Sequence, residues 1–439
     1  MAREFEKYSQ KIPGEPIELG HGPVELTSQA VVALGAGVAR LELRDRERVV
    51  IDVQLGNTPA AHQLTRSMEP LTMKFGTNGQ SITVVPLQSK ASSSGVKVSL
   101  VPRSAPITFF RDRRVRMHSA VVHVLNFPLF LSFGRPTDMG VASGTALLRI
   151  GRTVLSDGTW MIEFQEVEAA KDRVAHLKVA GGNAITHVLY IKRADGRSFS
   201  ITALEAVAHD LHRFLSFARG VWTSVFGLVG FRDDQVVYEN WGSRLATPWE
   251  SRTGWFDTHH GECLAELYPG FVKLLHDPVF AQPVNAALYW YLRSNRGGNG
   301  AGIDSGLILA QAALERLSLA CLVAANQSTS GNAAAKLRAA SALQKIPLRI
   351  PSGLISLVAA KRKKVVTDVP SVIVGVRNEL VHPKRRLLVP VGPMVGPAWR
   401  LAQWYVELFL LRLSGYQGLY SNRIESRWIG EVERMPWTK

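Results

Sequence analysis

The 439-residue chain is too long for one small domain; at roughly 150 residues per domain it implies two or three units. Hydrophobic residues at 46% and charged residues at 20% exclude a largely disordered chain. The 52 Lys and Arg against 36 Asp and Glu, net +16, favour a polyanionic partner, nucleic acid before an anionic membrane surface.

Two cysteines, Cys263 and Cys321, exclude a disulfide framework and fit a reducing compartment. Met1 to Lys7 contains no apolar leader. No stretch reaches the roughly 20 uninterrupted apolar residues of a membrane span, since Leu307 to Ala325 is broken by Gln311, Glu315 and Arg316. A soluble, cytoplasmic protein without a membrane partner is expected.

Residues 1–200 read as short strands between turns. Val38 to Leu43 alternates apolar and polar side chains, and Arg48 to Leu55 does so in part. Further strands are expected over Ser81–Val85, Val96–Val101, Ala120–Val124, Thr159–Val167 and His187–Lys192. The pattern predicts a mainly antiparallel sheet, sandwich or curved barrel. From Ser200 to Gly220 the period becomes helical, and Thr202 with Glu205 has capping-box spacing. Residues 220–275, rich in Trp and Phe, read as an irregular connecting module.

Helices are expected over Val284–Leu292, Asp304–Ala325, Ala333–Gln344, Val369–Val381 and Trp399–Leu413. The second is apolar nearly all round, which suits the middle of a bundle. The expected class is therefore α+β multidomain. A β-rich sensor or regulatory domain spans 1–200, a connecting helix and irregular module 201–279, a helical domain 280–425, and a tail 426–439.

Arg377-Asn378-Glu379-Leu380-Val381-His382-Pro383 carries the chemistry. Asn378 and His382, four apart, share a helix face with Arg377 on its flank. Pro383 makes His382 the last residue of its helix, where the macrodipole favours the imidazolium. An imidazole near neutral pH moves protons, and a guanidinium holds phosphate. The bland reading is a histidine that only caps carbonyls. Against it stands the charge: residues 330–400 hold thirteen Lys and Arg against two acidic residues, Asp368 and Glu379. Lys361, Arg362, Lys363 and Lys364 precede the motif and Lys384, Arg385 and Arg386 follow it, as in an RNA groove.

In these residues the chain resembles the HEPN (higher eukaryotes and prokaryotes nucleotide-binding) superfamily, whose nucleases carry Arg-x4–6-His, often with Asn after the Arg. The resemblance covers roughly residues 280–425. Leu413 to Tyr420 is also similar to bacterial anti-phage proteins in which a β-rich module precedes such a domain. The resemblance implies a helical HEPN bundle and a metal-independent, cofactor-free endoribonuclease cleaving RNA such as tRNA or mRNA by 2′-hydroxyl attack. It implies Arg377, Asn378 and His382 as catalytic residues, and a homodimer in which two motifs face each other across a two-fold axis. A role as toxin or in abortive anti-phage defence follows, with the N-terminal module answering a phage-derived or nucleotide trigger. The alternative is a catalytically silent HEPN RNA-binding or scaffold protein; a DNA-binding regulator lacks a helix-turn-helix or zinc signature.

Glu315, a carboxylate inside an apolar helix, needs a cation. Arg377 is one candidate, and Arg316 or a surface lysine the other. Weaker signals are His259-His260-Gly261-Glu262-Cys263 as metal ligands, Gly297 to Gly302 as a phosphate cradle, His209 and His212 as catalysts, and the basic run Arg111, Arg113, Arg114 and Arg116 as a second anion site. Each has a plainer counterpart: a crowded loop, a flexible connection, an interface and a charged edge strand.

Overall fold

Alternating side chains over the first hundred residues close into a barrel. The computed structural model describes residues 8–438 except 9, 11, 29–30, 43–47, 67–68, 77–80, 104–106, 111–113, 135–146, 243, 252, 297–301, 352–367, 383–391 and 426–427. Strands β1 (Ile17–Ser28), β2 (Val31–Glu42), β3 (Arg48–Leu55), β4 (Leu71–Phe75), β5 (Ser81–Ser92) and β6 (Gly95–Pro102) pair in the order β1-β2-β3-β6-β5-β4. The ring closes where Val24 to Thr27 of β1 pairs antiparallel with Phe75 to Thr72 of β4. Successive side chains point to opposite faces, so Val24, Leu26, Ala39, Leu41, Val53, Met73, Val84, Val98 and Leu100 fill the interior. Helix α1 (Pro59–Arg66), started by Thr58 accepting from the Ala61 amide at 3.2 Å, adds Ala61 and Leu64 to that core. Gly95 turns the β5–β6 hairpin at φ 132°, where a Cβ would lie 2.2 Å from the Leu55 carbonyl oxygen.

The contacts divide the chain into two units. One comprises Met1–Leu129, Gly158–His212 and Thr223–Glu250; the other comprises Phe130–Asp157, Arg213–Trp222 and Ser251–Lys439. The first unit continues from the barrel into an antiparallel sheet. Its strands run in the order Trp160–Glu166, Ile185–Arg193, Ser119–Leu125, Val225–Arg232, Gln235–Asn240 and Thr108–Phe110. Helix α2 (Ala170–Ala180) lies between the first two of these strands in sequence. Leu125, Ile185, Val188, Phe226 and Trp241 join one continuous core with the barrel side chains.

The segment expected to be an irregular connection departs from that expectation. Val225–Arg232 and Gln235–Asn240 form a hairpin, and the former also pairs with Ser119–Val124. Val225 to Gly230 is buried on both faces, so no alternation marks it as a strand. Asp233 and Asp234 turn the hairpin at φ 52° and 60°, the left-handed pair that a tight two-residue loop requires. The expected capping box is displaced too. Helix α3 (Ile201–Arg219) is started by Ser200, whose hydroxyl accepts from the Ala203 amide at 3.3 Å, while Glu205 accepts from Tyr238 and Asn240 side chains.

His187, fully buried against Phe127 and Phe164, has its imidazole pushed down to about 3 by burial alone. It stays neutral in the fold and takes a proton when the chain unfolds below its usual pKa near 6.5. Stability from this group is complete above about pH 6.5 and falls as pH drops toward about 3, by about 1.4 kcal/mol per pH unit. Between about pH 7 and 4, unfolding free energies from urea titrations should fall more steeply with acid in the wild type than in His187→Leu, the difference reporting this group.

The second unit is mainly helical. Helices α4 (Glu262–Leu275), α5 (Ala281–Ser294), α6 (Gly302–Ala324), α7 (Ala333–Leu343), α8 (Val369–Val381) and α9 (Gly392–Leu413) pack with the last turns of α3. Phe217 stacks on Phe271 with centroids 5.3 Å apart and meets Trp255 and Tyr291 face or edge, so the aromatic-rich stretch supplies this unit's core. Short strand pairs, Leu131–Gly134 with Leu147–Ile150 and Leu419–Tyr420 with Glu433–Arg434, also belong to the unit. The protein is thus mixed α and β, with a β-rich N-terminal region and helices through its C-terminal half.

Helix α6 packs against α5, α7, α8 and α9 but is not enclosed. Its outer face leaves Leu319 40% and Val323 54% exposed, beside exposed Glu315 and Arg316. Among the described residues it is the one helix long and apolar enough to cross a membrane, and 56% of that apolar window is buried inside the protein.

Candidate functional site

Helix α8 is fixed at both ends by local chemistry. Asp368 caps its start, accepting from the Ser371 amide at 2.8 Å, and Pro370 occupies the first turn where no amide partner is lost. Arg338 of α7 donates to the Asp368 carboxylate at 2.8 Å and to the Ser371 hydroxyl at 2.9 Å. Burial alone would raise the Asp368 carboxyl, but these hydrogen bonds outweigh it and hold it below the usual range. Val369, Val372, Ile373 and Val376 bury the inner face. Asp368→Ala should lower stability by about 1 kcal/mol through loss of the cap, and Asp368→Asn by less, read as a shift in thermal midpoint.

At the other end the helix stops at Val381. His382 follows with φ −124° and ψ 66°, outside helical geometry as a residue before proline should be, and its amide still donates to the Asn378 carbonyl at 2.8 Å. Asn378 and His382 are exposed and Arg377 is half-buried. The Arg377 Nη1 donates to Asn378 Oδ1 at 3.2 Å, while its Nε is buried with no hydrogen-bond partner among the described residues. Arg377, Asn378 and His382 therefore lie at the C-terminal end of α8, Arg377 joined to Asn378 by side chains, with the amide and imidazole open to solvent.

The other sequence-derived candidates divide. Lys361, Arg362, Lys363, Lys364, Lys384, Arg385 and Arg386 lie outside the described residues, as do Arg111, Arg113 and Gly297 to Gly300. Glu315 does not meet Arg377: it is exposed and accepts from Gln311 Nε2 at 2.8 Å. The face of α6 that bears it is the open one, so water supplies the solvation that a buried partner would have given. Among the described residues no group of three His, Cys, Asp or Glu side chains converges as metal ligands. His260 instead lies 3.1 Å from Glu262 and 3.3 Å from the Gly430 carbonyl oxygen. His212 is buried with its Nδ1 on the Thr223 carbonyl at 2.8 Å, and Arg116 is spent on the Ser198 carbonyl at 2.5 Å.

One constellation was missed. Glu407 on α9 is fully buried and paired with Arg423, also buried, at 2.5 Å. Arg423 donates further to the Thr253 carbonyl at 2.6 Å and to Asn295 Oδ1 at 3.2 Å, and the Tyr291 hydroxyl donates to Glu407 at 2.5 Å. Burial pushes the Glu407 carboxyl up, with Arg423 opposing it; burial disfavours the Arg423 charge, but Glu407 outweighs that and keeps the guanidinium protonated. The signal was available: Glu407 is the lone carboxylate of the apolar run Trp404 to Leu411. With its hydrogen-bonding capacity filled from within, the group is built to hold the fold rather than to turn over substrate.

Two stretches match family models: residues 112–252 the YopA central domain and residues 277–434 the YopA C-terminal domain. The chain is similar to YopA. Over 439 residues, 96% of this chain and 95% of the relative, it is 26% identical to the SPbeta prophage-derived uncharacterized protein YopA of Bacillus subtilis (strain 168). No solved structure matches. The YopA C-terminal match takes in α5 to α9, and with them both the Arg377–His382 group and the Glu407–Arg423 network; the YopA central match covers most of the sheet of the first unit, and the barrel lies outside both.

Proposed function

We propose that the protein is a metal-independent endoribonuclease of the HEPN type, acting as a homodimer. The observation that carries this reading is the grouping of Arg377, Asn378 and His382 at the solvent-open end of α8. In the reaction the ribose 2′-oxygen forms a bond to the adjacent phosphorus and the bond from phosphorus to the 5′-oxygen breaks. His382 takes the 2′-hydroxyl proton, and an imidazolium, that of the second copy in a dimer, returns one to the departing 5′-oxygen. Arg377 neutralises charge on the pentavalent phosphorus and Asn378 orients the guanidinium. The products are a 2′,3′-cyclic phosphate and a 5′-hydroxyl.

The basic residues at 361–364 and 384–386 would hold the RNA backbone by charge, so binding weakens with salt. The barrel and sheet of the first unit supply a sensor or restraint, answering a phage-derived or nucleotide signal. A prophage origin, stated in the relative's name, fits a toxin or abortive-infection role in the cytoplasm.

A catalytically silent RNA-binding scaffold is the second reading. It is favoured by the Arg377 side chain, whose Nε is shut from solvent and whose Nη1 is turned to its own neighbour. Incubating tRNA and total RNA in EDTA with wild type, Arg377→Ala and His382→Ala separates the two. Cleavage by wild type that both variants lose supports the nuclease; equal binding without cleavage by all three supports the scaffold.

A further inference from the structure

The exposed face of α6 has a symmetry that its sequence does not advertise. At 100° per residue, Ile308, Ala312, Glu315, Arg316, Leu319 and Val323 fall within an arc of about 100° on the helix surface. This is the face that the unit leaves open: Leu319, Val323, Glu315 and Arg316 are exposed, and Ile308 and Ala312 are half-buried. The positions of the stripe, though not its residues, are symmetric about one point. Ile308 and Val323, Ala312 and Leu319, Glu315 and Arg316 all share one midpoint, between residues 315 and 316.

A two-fold axis through that midpoint lays two copies of α6 antiparallel. Each Glu315 then faces the Arg316 of the other copy, twice over, and a small Ala312 receives a large Leu319 on either side. An interface between identical copies must be complementary to itself, and this stripe is so in charge, size and polarity. Among the described residues neither Glu315 nor Arg316 forms an ion pair within the chain, so both are available. A lipid surface is the poorer occupant, because it would take both charges into hydrocarbon without a partner.

We infer that the outer face of α6 is a homodimer surface, with two antiparallel helices crossing at Glu315 and Arg316. The inference rests on the homodimer of the ribonuclease reading and names the surface through which its two copies meet; it is tested by association alone, whether or not the chain cuts RNA. Its test uses the full chain at micromolar concentration, with mass measured by light scattering after size exclusion and folding checked by circular dichroism. Wild type should run at twice the 48.3 kDa chain mass. Glu315→Arg and Arg316→Glu each place like charges across the axis and should raise the dimer Kd at least about a hundredfold. Mixed together, the two single variants should regain the dimer mass, since one then carries two adjacent guanidinium groups at the crossing and the other two adjacent carboxylates. The double swap E315R/R316E should dimerise alone. A monomeric wild type, single variants that stay dimeric, or folded single variants that do not associate on mixing would each overturn the proposal. RNA cleavage is not the readout, so failure here is separate from failure of the nuclease assay.

Discussion

His382→Ala is expected to reduce RNA cleavage by a factor of about 10² to 10⁴, the range for loss of a general acid or base. The exposed ring makes few contacts that folding needs, so its removal should leave the thermal midpoint within about 1 °C. Arg377→Ala should cost about 3 kcal/mol of barrier, close to a hundredfold or more, because the guanidinium acts where charge develops. Arg377→Lys separates charge from geometry: a point charge without the fork should recover only part of the rate. Single-turnover rates on a labelled tRNA, with melting curves beside them, decide the matter. Rates unchanged in His382→Ala would remove this imidazole from the reaction.

The second large effect concerns folding. Glu407→Ala should destabilise the helical unit by about 3–5 kcal/mol, because Arg423 would be left charged, buried and without its carboxylate. Arg423→Ala should cost as much by stranding Glu407, with Tyr291 then the remaining side-chain donor to it among the described residues. The double change Glu407→Leu with Arg423→Met removes both charges together and should cost clearly less than the sum of the single losses. Chemical denaturation followed by far-ultraviolet circular dichroism, to which the helices of the second unit contribute most, measures all three.

Local patterns carried much of this architecture. Val38 to Leu43 and Arg48 to Leu55 face a barrel interior on one side and solvent on the other, and half-burial writes itself into sequence as alternation. The bounds of α8 were legible from its helical period, and Pro383 marked its end to within one residue, whereas the Asp368 cap was not read. What failed needed knowledge of neighbours. Val225 to Gly230 is covered on both faces, which erases alternation. Periodicity places Glu315 and Glu407 alike on apolar helices, yet the first meets water and the second meets a residue sixteen positions on. A carboxylate among apolar residues does need a cation, but the one that is enclosed is Glu407, and burial is a property of the neighbours rather than of the helix.

The pairing of Glu407 with Arg423 also sets an order during synthesis on the ribosome. The barrel has all its strands once Pro102 has emerged, whereas α9 carries an unneutralised carboxylate until Arg423 has been made. At about 5–20 residues per second, the barrel precedes the finished helical unit by roughly 15–60 s. A nascent chain therefore carries all six barrel strands well before the helical unit is complete, and a message cut short ahead of the Arg423 codon leaves Glu407 without its guanidinium.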